Sequence, residues 1–130
     1  MQYAMLIYEP AGEFEDRKRP TEDESWGPWR SYYQSLVDAG IYVSGSPLER
    51  PDTTATTVRV RGGERQVQDG PFADTKEQLG GFIILELPSL DAALEWASRC
   101  PAAAYGAVEL RPIADLTRIF GADSSIPRRG

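Results

Sequence analysis

Two segments of this 130-residue chain are apolar at nearly every position, and they constrain its fold more than any other feature. Residues 3–8 read Tyr-Ala-Met-Leu-Ile-Tyr, and residues 82–87 read Phe-Ile-Ile-Leu-Glu-Leu. Alternate side chains of a strand point to opposite faces of a sheet, so both segments present apolar side chains on both faces. Each face of the resulting sheet therefore needs a cover that excludes water.

Two segments have the spacing of amphipathic helices that could cover such a sheet. Apolar residues recur every three or four positions from Trp26 to Val37, and Gly40 supplies a left-handed stop. A second helix is predicted after Ser89, which is a typical N-cap, and it ends before Pro101. The apolar stripe of the second helix comprises Leu90, Ala93, Leu94 and Ala97.

The remaining patterns predict strands. A short strand over 41–44 ends at Gly45, and alternating residues over 55–61 reach Gly62-Gly63, a two-residue hairpin turn with a polar return strand. A last strand covers 107–111. The order predicts an α+β protein, ferredoxin-like βαββαβ with a β-hairpin insertion. Two helices cover one face only, so we expect a second copy of the chain to cover the other face as a homodimer.

Missing residue types exclude many mechanisms. The chain has no histidine, which excludes Ser-His-Asp and Cys-His catalysis and histidine-bound metals. Its one cysteine, Cys100, forms no intrachain disulfide and is expected to be a small buried side chain. Nothing in the sequence calls for a metal or an organic cofactor, so we expect none.

The charge balance argues against polyanionic partners. Twenty acidic and fourteen basic residues give a net charge of −6, the opposite of what nucleic acids or anionic membranes require. No apolar run is long enough to span a bilayer, and the N-terminal residues lack the basic region of a signal peptide. We expect a cytoplasmic protein.

Residues 69–82, Asp-Gly-Pro-Phe-Ala-Asp-Thr-Lys-Glu-Gln-Leu-Gly-Gly-Phe, closely resemble the signature of the YCII-related, or DGPF, domain family. The strand at 3–8, the segments at 55–60 and 94–97, and Gly106-Ala-Val-Glu-Leu-Arg-Pro112 resemble other parts of the same family. The resemblance covers about residues 1–114, which we predict to be one domain. Residues 115–130 form a tail that either docks through Ile119 and Phe120 or is partly disordered.

The resemblance implies a dimeric α/β barrel, in agreement with the two-faced strands. The function of the family is largely unknown, and members of the wider group have been proposed to be enzymes that use a His–Asp pair. That pair cannot be carried over to a chain without histidine. Many DGPF members look like companions of extracytoplasmic-function sigma factors, which implies a regulatory role.

The DGPF segment also concentrates ionisable residues. Asp69, Asp74, Lys76 and Glu77 place three acids and one ammonium within nine residues. Neighbouring carboxylates with a lysine suit proton transfer when burial or a like charge shifts a pKa. On this interpretation Asp74 or Glu77 is the base of a small-molecule enzyme, assisted by Lys76, and Asp69 contributes to binding.

Four residues complete the candidate site in a cleft between the DGPF segment and the sheets. Arg111 is a candidate anchor for an anionic substrate, and Tyr105 is a candidate hydrogen-bond donor. Tyr8 and Phe72 are candidate binding residues. The architectural alternative makes Asp74 and Glu77 a capping pattern for one helical turn, and lets Phe72 anchor the loop in the core.

Three kinds of function remain open from the sequence. The first is a small-molecule enzyme that uses carboxylates in a pocket at the dimer sheets. The second is a non-catalytic ligand-binding or regulatory partner protein, associated with a sigma factor. The third is a structural homodimer whose DGPF segment only shapes a loop.

Overall fold

The computed structural model of the chain describes residues 1–11, 23–49, 51–73 and 75–121, with the side chains of 23–25, 52 and 53 left aside. Six strands and four α-helices have both of their ends within these ranges. The strands are β1 (Gln2–Pro10), β2 (Tyr42–Pro47), β3 (Thr56–Arg61), β4 (Glu64–Asp69), β5 (Glu77–Glu86) and β6 (Ala107–Pro112). The helices are α1 (Asp23–Asp38), α2 (Pro51–Thr54), α3 (Leu90–Ser98) and α4 (Leu116–Phe120), with a 3-10 turn at Pro101–Ala104.

Four strands form one antiparallel sheet in the order β2-β5-β1-β6, and β3 pairs with β4 in a separate ribbon. Without the ribbon, the order along the chain is strand, helix, strand, strand, helix, strand. The predicted fold is confirmed, namely a ferredoxin-like α+β fold of the dimeric α/β barrel type with a hairpin insertion. The hairpin turn is confirmed as well, since Gly62 and Gly63 have φ angles of +59° and +81°.

The core lies between one face of the four-stranded sheet and the helices α1 and α3. In β1 every second side chain, from Tyr3 to Glu9, is buried on this face. Met5 and its partner Ile83 in β5 are fully enclosed, as is Leu36 of α1. Burial of each such side chain stabilises the fold by about 2–3 kcal/mol.

The opposite face of the sheet, which we call the open face, is also apolar at its centre. On this face Leu6 of β1 lies opposite Phe82 of β5, and Ala4 lies opposite Ile84. Both long helices pack on the other face, so the sequence-based prediction of a sheet apolar on two sides is confirmed. The outer strand β6 adds Glu109 and Arg111 to the open face, opposite Leu6 and Ala4 respectively.

Helix ends follow the predicted signals. Gly40 has a φ of +72°, and its amide and that of Ile41 donate to the carbonyls of Val37 and Leu36, which closes α1. At the start of α3 the Ser89 hydroxyl accepts a hydrogen bond of 3.2 Å from the Ala92 amide. The predicted caps of α1 at Thr21 and Ser25 lie outside the described side chains.

Two local predictions are wrong. Gly45 does not end β2, because the strand continues to Pro47, and a Cβ at Gly45 would lie 2.7 Å from the carbonyl oxygen of Phe82. The stripe of α3 is buried only at Ala93 and Ala97, whereas Leu90 and Leu94 are half-exposed. Small residues at the contact let the helix approach the sheet closely, so the larger side chains lie at its flanks.

The tail is described as far as residue 121. It forms the short helix α4, whose N-cap is Asp115: the carboxylate of Asp115 accepts a hydrogen bond from the Thr117 amide at 2.9 Å. Ile119 and Phe120, the predicted docking residues, are both more than half exposed. In the described part of the chain no helix has the length and hydropathy needed to cross a bilayer.

Candidate functional site

The first half of the DGPF segment is fixed to the ribbon by backbone and side-chain hydrogen bonds. Gly70 has a φ of +109°, a conformation that favours glycine, and its amide donates to the Ala55 carbonyl at 2.7 Å. The Thr57 hydroxyl donates to the Gly70 carbonyl at 2.8 Å. The guanidinium of Arg59 lies 4.8 Å from the centroid of the Phe72 ring. The ribbon therefore sets the position of the loop.

Beneath this loop lies a cavity of about 510 Å³, which we call the motif cavity. Tyr8 and Leu79, paired across β1 and β5, form its floor at the end of the open face. Phe72 closes it from the loop, so two predicted binding residues meet in one cavity. Its walls comprise Leu48, Glu49, Pro51, Thr54, Ala55, Pro71, Ala73, Thr75 and Gln78.

The predicted acids and lysine of the DGPF segment are distributed differently. Asp69 and Lys76 are exposed, and Glu77 is partly buried at the first position of β5. Among the described residues, Glu49 is the carboxylate that lines the motif cavity. Asp74 lies outside the described residues, between Ala73 and Thr75 in the sequence. The structure therefore does not gather Asp69, Lys76 and Glu77 at the cavity wall.

The architectural alternative for the segment is wrong in two respects. Phe72 does not anchor the loop in the core, because 71% of its surface is exposed and its ring lies against the Arg59 guanidinium. Residues 75–77 form no helical turn, since Glu77 begins β5 and the Thr75 hydroxyl donates to the Glu77 carbonyl. The segment begins at the end of β4, at Asp69, and enters β5 at Glu77, so it leads from one sheet into the other.

Arg111 lies on the open face, in β6 opposite Ala4. One of its guanidinium nitrogens is 3.5 Å from a carboxylate oxygen of Glu109, and both side chains are largely exposed. Arg111 is not among the residues that line the motif cavity. An exposed pair of this kind contributes little to stability, about 0–1 kcal/mol, and leaves the arginine on the open face.

The structure reveals a buried carboxylate that the sequence analysis missed. Glu9 is 2% exposed, and its oxygen Oε2 accepts a hydrogen bond of 3.1 Å from the Tyr105 hydroxyl. The Tyr105 oxygen in turn accepts one of 3.3 Å from the indole nitrogen of Trp29. The network links the end of β1, α1 and the 3-10 turn before β6. The sequence contained a signal for this burial, because Glu9 follows Tyr3, Met5 and Ile7 at every second position and therefore points to the same face of the sheet.

Gly106 makes this network sterically possible. A Cβ atom at position 106 would lie 2.1 Å from the carbonyl oxygen of Tyr8 and 3.3 Å from the Cα of Glu9. No side chain fits at such a distance, so glycine lets the chain before β6 lie directly against the end of β1. That contact brings Tyr105 to the Glu9 carboxylate.

A second cavity, of about 400 Å³, lies on the helix side of the sheet edge. We call it the aromatic cavity because Trp26, Trp29 and Tyr33 of α1 line it. Arg30, Pro47, Leu48 and Glu49 complete the wall. Leu48 and Glu49 also line the motif cavity, so the segment after β2 separates the two spaces.

Cys100 is buried, as predicted, at 2% exposure. Burial raises the pKa of its thiol to about 11, and backbone hydrogen bonds at Ala102 and Ala103 offset this only in part. Such a thiol is a poor nucleophile at neutral pH, since the thiolate is the reactive form. Within the described ranges no group of three or more acidic or cysteine side chains is arranged to hold a metal ion.

Comparisons with known proteins agree with this architecture. A dehydrochlorinase from Burkholderia phenoliruptrix AC1100, which acts on 5-chloro-2-hydroxyhydroquinone and was solved in complex with 2,5-dihydroxybenzoquinone, shares the fold with a TM-score of 0.51. The two chains are 16% identical, and the match covers 88% of this chain and 95% of that one. At this identity the likeness concerns the fold alone.

The sequence comparisons are more specific. An uncharacterised protein of Rhizobium meliloti (strain 1021) is 36% identical over 118 residues, which cover 88% of this chain and 93% of that protein. The profile of the YCII-related domain matches residues 1–117. On both grounds the chain belongs to the YCII-related domain family.

Proposed function

We propose that the protein is a small-molecule enzyme whose substrate binds in the motif cavity. The observation that carries the proposal is the meeting of Tyr8 and Phe72 around a space of about 510 Å³ beside the DGPF segment. A cavity of this size, mainly apolar with a few polar groups, is typical of small-ligand sites. The dehydrochlorinase with the same fold binds a small quinone, which supports a substrate of similar size.

The chemistry we propose is proton transfer by carboxylates. Glu49 lies in the cavity wall, and Asp74 stands in the sequence between the lining residues Ala73 and Thr75. A carboxylate at the wall of a small-molecule cavity is a suitable general base when a substrate proton lies within hydrogen-bond reach of it. Lys76 and Glu77 are secondary candidates because they stand in the sequence between the lining residues Thr75 and Gln78.

We further propose that the working unit is a cytoplasmic homodimer formed through the open face. Leu6, Phe82 and Ile84 make the centre of that face apolar, and both long helices pack on the other side. Tyr8 belongs to the open face and to the motif cavity, so a second copy would lie next to the substrate. Arg111 on the outer strand is then a candidate anchor for an anionic group at the dimer boundary.

The first experiment identifies a ligand by thermal shift with a library of small metabolites, since a ligand of the folded form raises the melting temperature. Phe72→Ala and Tyr8→Ala should each weaken the affinity for the identified ligand about tenfold, which corresponds to the loss of one aromatic contact. Val58→Ala, on the exposed ribbon, is the matched control and should bind normally. Equal binding by all variants would refute the motif cavity as the site.

The second experiment tests catalysis with that ligand. Glu49→Gln and Asp74→Asn should lower turnover at least about a hundredfold without loss of binding, since general bases typically contribute that much. Glu64→Gln at the hairpin turn is the control. If both amide variants keep full turnover, carboxylate catalysis in this cavity is wrong.

One observation favours the regulatory alternative as a second candidate. Val58 and Val67 are directly paired in the ribbon, Val60 is next on the same face, and all three are more than half exposed. Exposed apolar rows of this kind serve as protein-binding surfaces. If the protein is the partner of a sigma factor, a purified sigma factor should bind the wild type but not a Val58→Ser, Val67→Ser variant.

A further inference from the structure

The aromatic cavity differs in chemistry from the motif cavity on the other side of the segment after β2. Three aromatic side chains of α1, Trp26, Trp29 and Tyr33, lie in its wall. They recur at positions three and four residues apart, which places them on one side of the helix. Trp29 is 8% exposed, and Trp26 and Tyr33 are partly buried, so a ligand in the cavity would meet a mainly aromatic wall.

The rings are held at an angle to one another. The centroids of Trp29 and Tyr33 are 6.3 Å apart with an interplanar angle of 43°. Trp29 is fixed in this orientation because its indole nitrogen donates to the Tyr105 hydroxyl, which is itself bonded to the buried Glu9. A flat ligand stacks on only one of two rings tilted in this way, whereas a compact, rounded group can contact both faces.

The same cavity contains a carboxylate. Glu49 lies in its wall, two residues after the end of β2 at Pro47, and its side chain is exposed. Cations bind over the faces of tryptophan and tyrosine rings, and a carboxylate neutralises them. The net charge of −6 over the whole chain also raises the local concentration of cations.

We propose that the aromatic cavity is a binding site for a compact organic cation, of which a quaternary ammonium group is the simplest form. The aromatic cavity adjoins the proposed catalytic cavity and shares Leu48 and Glu49 with it, but its aromatic residues are different. Arg30 also lines the cavity, and its positive charge opposes the ligand. The proposal therefore makes opposite predictions for the two charged residues of one cavity.

The test is a calorimetric titration of the full chain with choline, with its uncharged isostere 3,3-dimethylbutan-1-ol, and with benzoate as a flat anion. Choline should bind at least about tenfold more tightly than the isostere, because the two differ only in charge. Equal affinity for choline and the isostere would overturn the proposal. So would tighter binding of benzoate, or the absence of choline binding.

Variants locate the site. Trp26→Leu and Glu49→Gln should each weaken choline binding by about three- to tenfold, as expected for the loss of one cation–π or charge contact. Arg30→Gln should tighten binding by a similar factor. Weaker binding after Arg30→Gln, or no effect of Trp26→Leu, would contradict the assignment, and circular dichroism confirms that each variant is folded.

Phe72→Ala separates this proposal from the proposed function. Phe72 lines the motif cavity but not the aromatic cavity, so this change should leave choline affinity unaltered. Failure of the catalytic proposal would leave these titrations unchanged. If Phe72→Ala weakens choline binding as much as Trp26→Leu does, the cation occupies the motif cavity and the present assignment is wrong.

Discussion

The hydroxyl of Tyr105 donates a hydrogen bond of 3.1 Å to the buried carboxylate of Glu9, although the two residues are 96 positions apart in the chain. This bond joins the end of the first strand to the turn before the last strand. The same Tyr105 oxygen accepts a hydrogen bond from the Trp29 indole, so this phenol contacts both the buried carboxylate and a ring of the aromatic cavity. Several properties of the protein depend on this contact.

Removal of the Tyr105 hydroxyl should destabilise the folded protein. Tyr105→Phe deprives a buried carboxylate of a donor and the indole of its acceptor, so we expect a loss of about 1–3 kcal/mol in the free energy of unfolding. Urea denaturation measures it. Tyr3→Phe is the matched control, because the Tyr3 hydroxyl donates to the Met1 sulfur at 3.5 Å, a weak acceptor, and to no oxygen or nitrogen among the described residues. An equal loss in both variants would show that the network adds no stability.

Gly106→Ala should disrupt the same region through its backbone. The new Cβ would lie 2.1 Å from the Tyr8 carbonyl oxygen, so we expect a destabilisation of about 3 kcal/mol or more. Gly27→Ala in α1 is the comparison, since a Cβ there meets nothing within 4 Å. That change should shift stability by less than about 1 kcal/mol, as measured by chemical denaturation. Similar effects at both glycines would contradict the close approach at Gly106.

Cys100 should make stability decrease at alkaline pH. Its pKa is about 11 in the folded protein against an ordinary 9.0, so between these values the unfolded thiol ionises while the folded one keeps its proton. The stabilisation is complete below pH 9 and is lost as the pH approaches 11. At pH 10, which is one unit above the ordinary pKa, the free energy of unfolding has fallen by about 1.4 kcal/mol.

The matched variant is Cys100→Ala. Burial also raises the pKa of Tyr32, so the wild type has a second alkaline loss that begins above pH 10. For each protein, the change in the free energy of unfolding between pH 7 and pH 10 is measured. The value for the wild type minus the value for the variant gives the contribution of the Cys100 thiol. A difference near zero, in denaturation at both pH values, would mean that Cys100 ionises normally in the folded protein.

Much of the fold was predictable because it depends on local periodicity. Two strands apolar on both faces, two amphipathic helices and a Gly62-Gly63 turn determine a short list of arrangements. The cap at Ser89 and the stop at Gly40 were predictable for the same reason, since they act on their nearest neighbours. Signals of this kind need no knowledge of distant contacts.

The candidate site was less predictable because it depends on contacts far apart in sequence. Glu9 was overlooked since the apolar run ends at Tyr8, and its donor Tyr105 lies in another element. Acids close together in sequence, such as Asp69 and Glu77, belong to different sheets and do not converge on the motif cavity. Residues that are close in sequence can lie far apart in space when the chain passes from one sheet to another between them.

Dimerisation through the open face has a direct test. The wild type should elute with a mass of 28.8 kDa, twice the 14.4 kDa of one chain. Leu6→Glu places a charge at the centre of the apolar face and should give monomers, because burying an unpaired charge is costly. Val58→Glu on the ribbon is the control and should remain dimeric. A wild type that is monomeric at micromolar concentration by light scattering would exclude this interface.

The two outer strands of the main sheet both end in proline, at Pro47 in β2 and Pro112 in β6. Proline has no amide hydrogen to offer, so the row of donors along each rim stops there. An added strand would find no donor at these two positions, which discourages edge-to-edge pairing at the ends of both strands. The dimer proposed above would join two sheets by their open faces and would not use these edges.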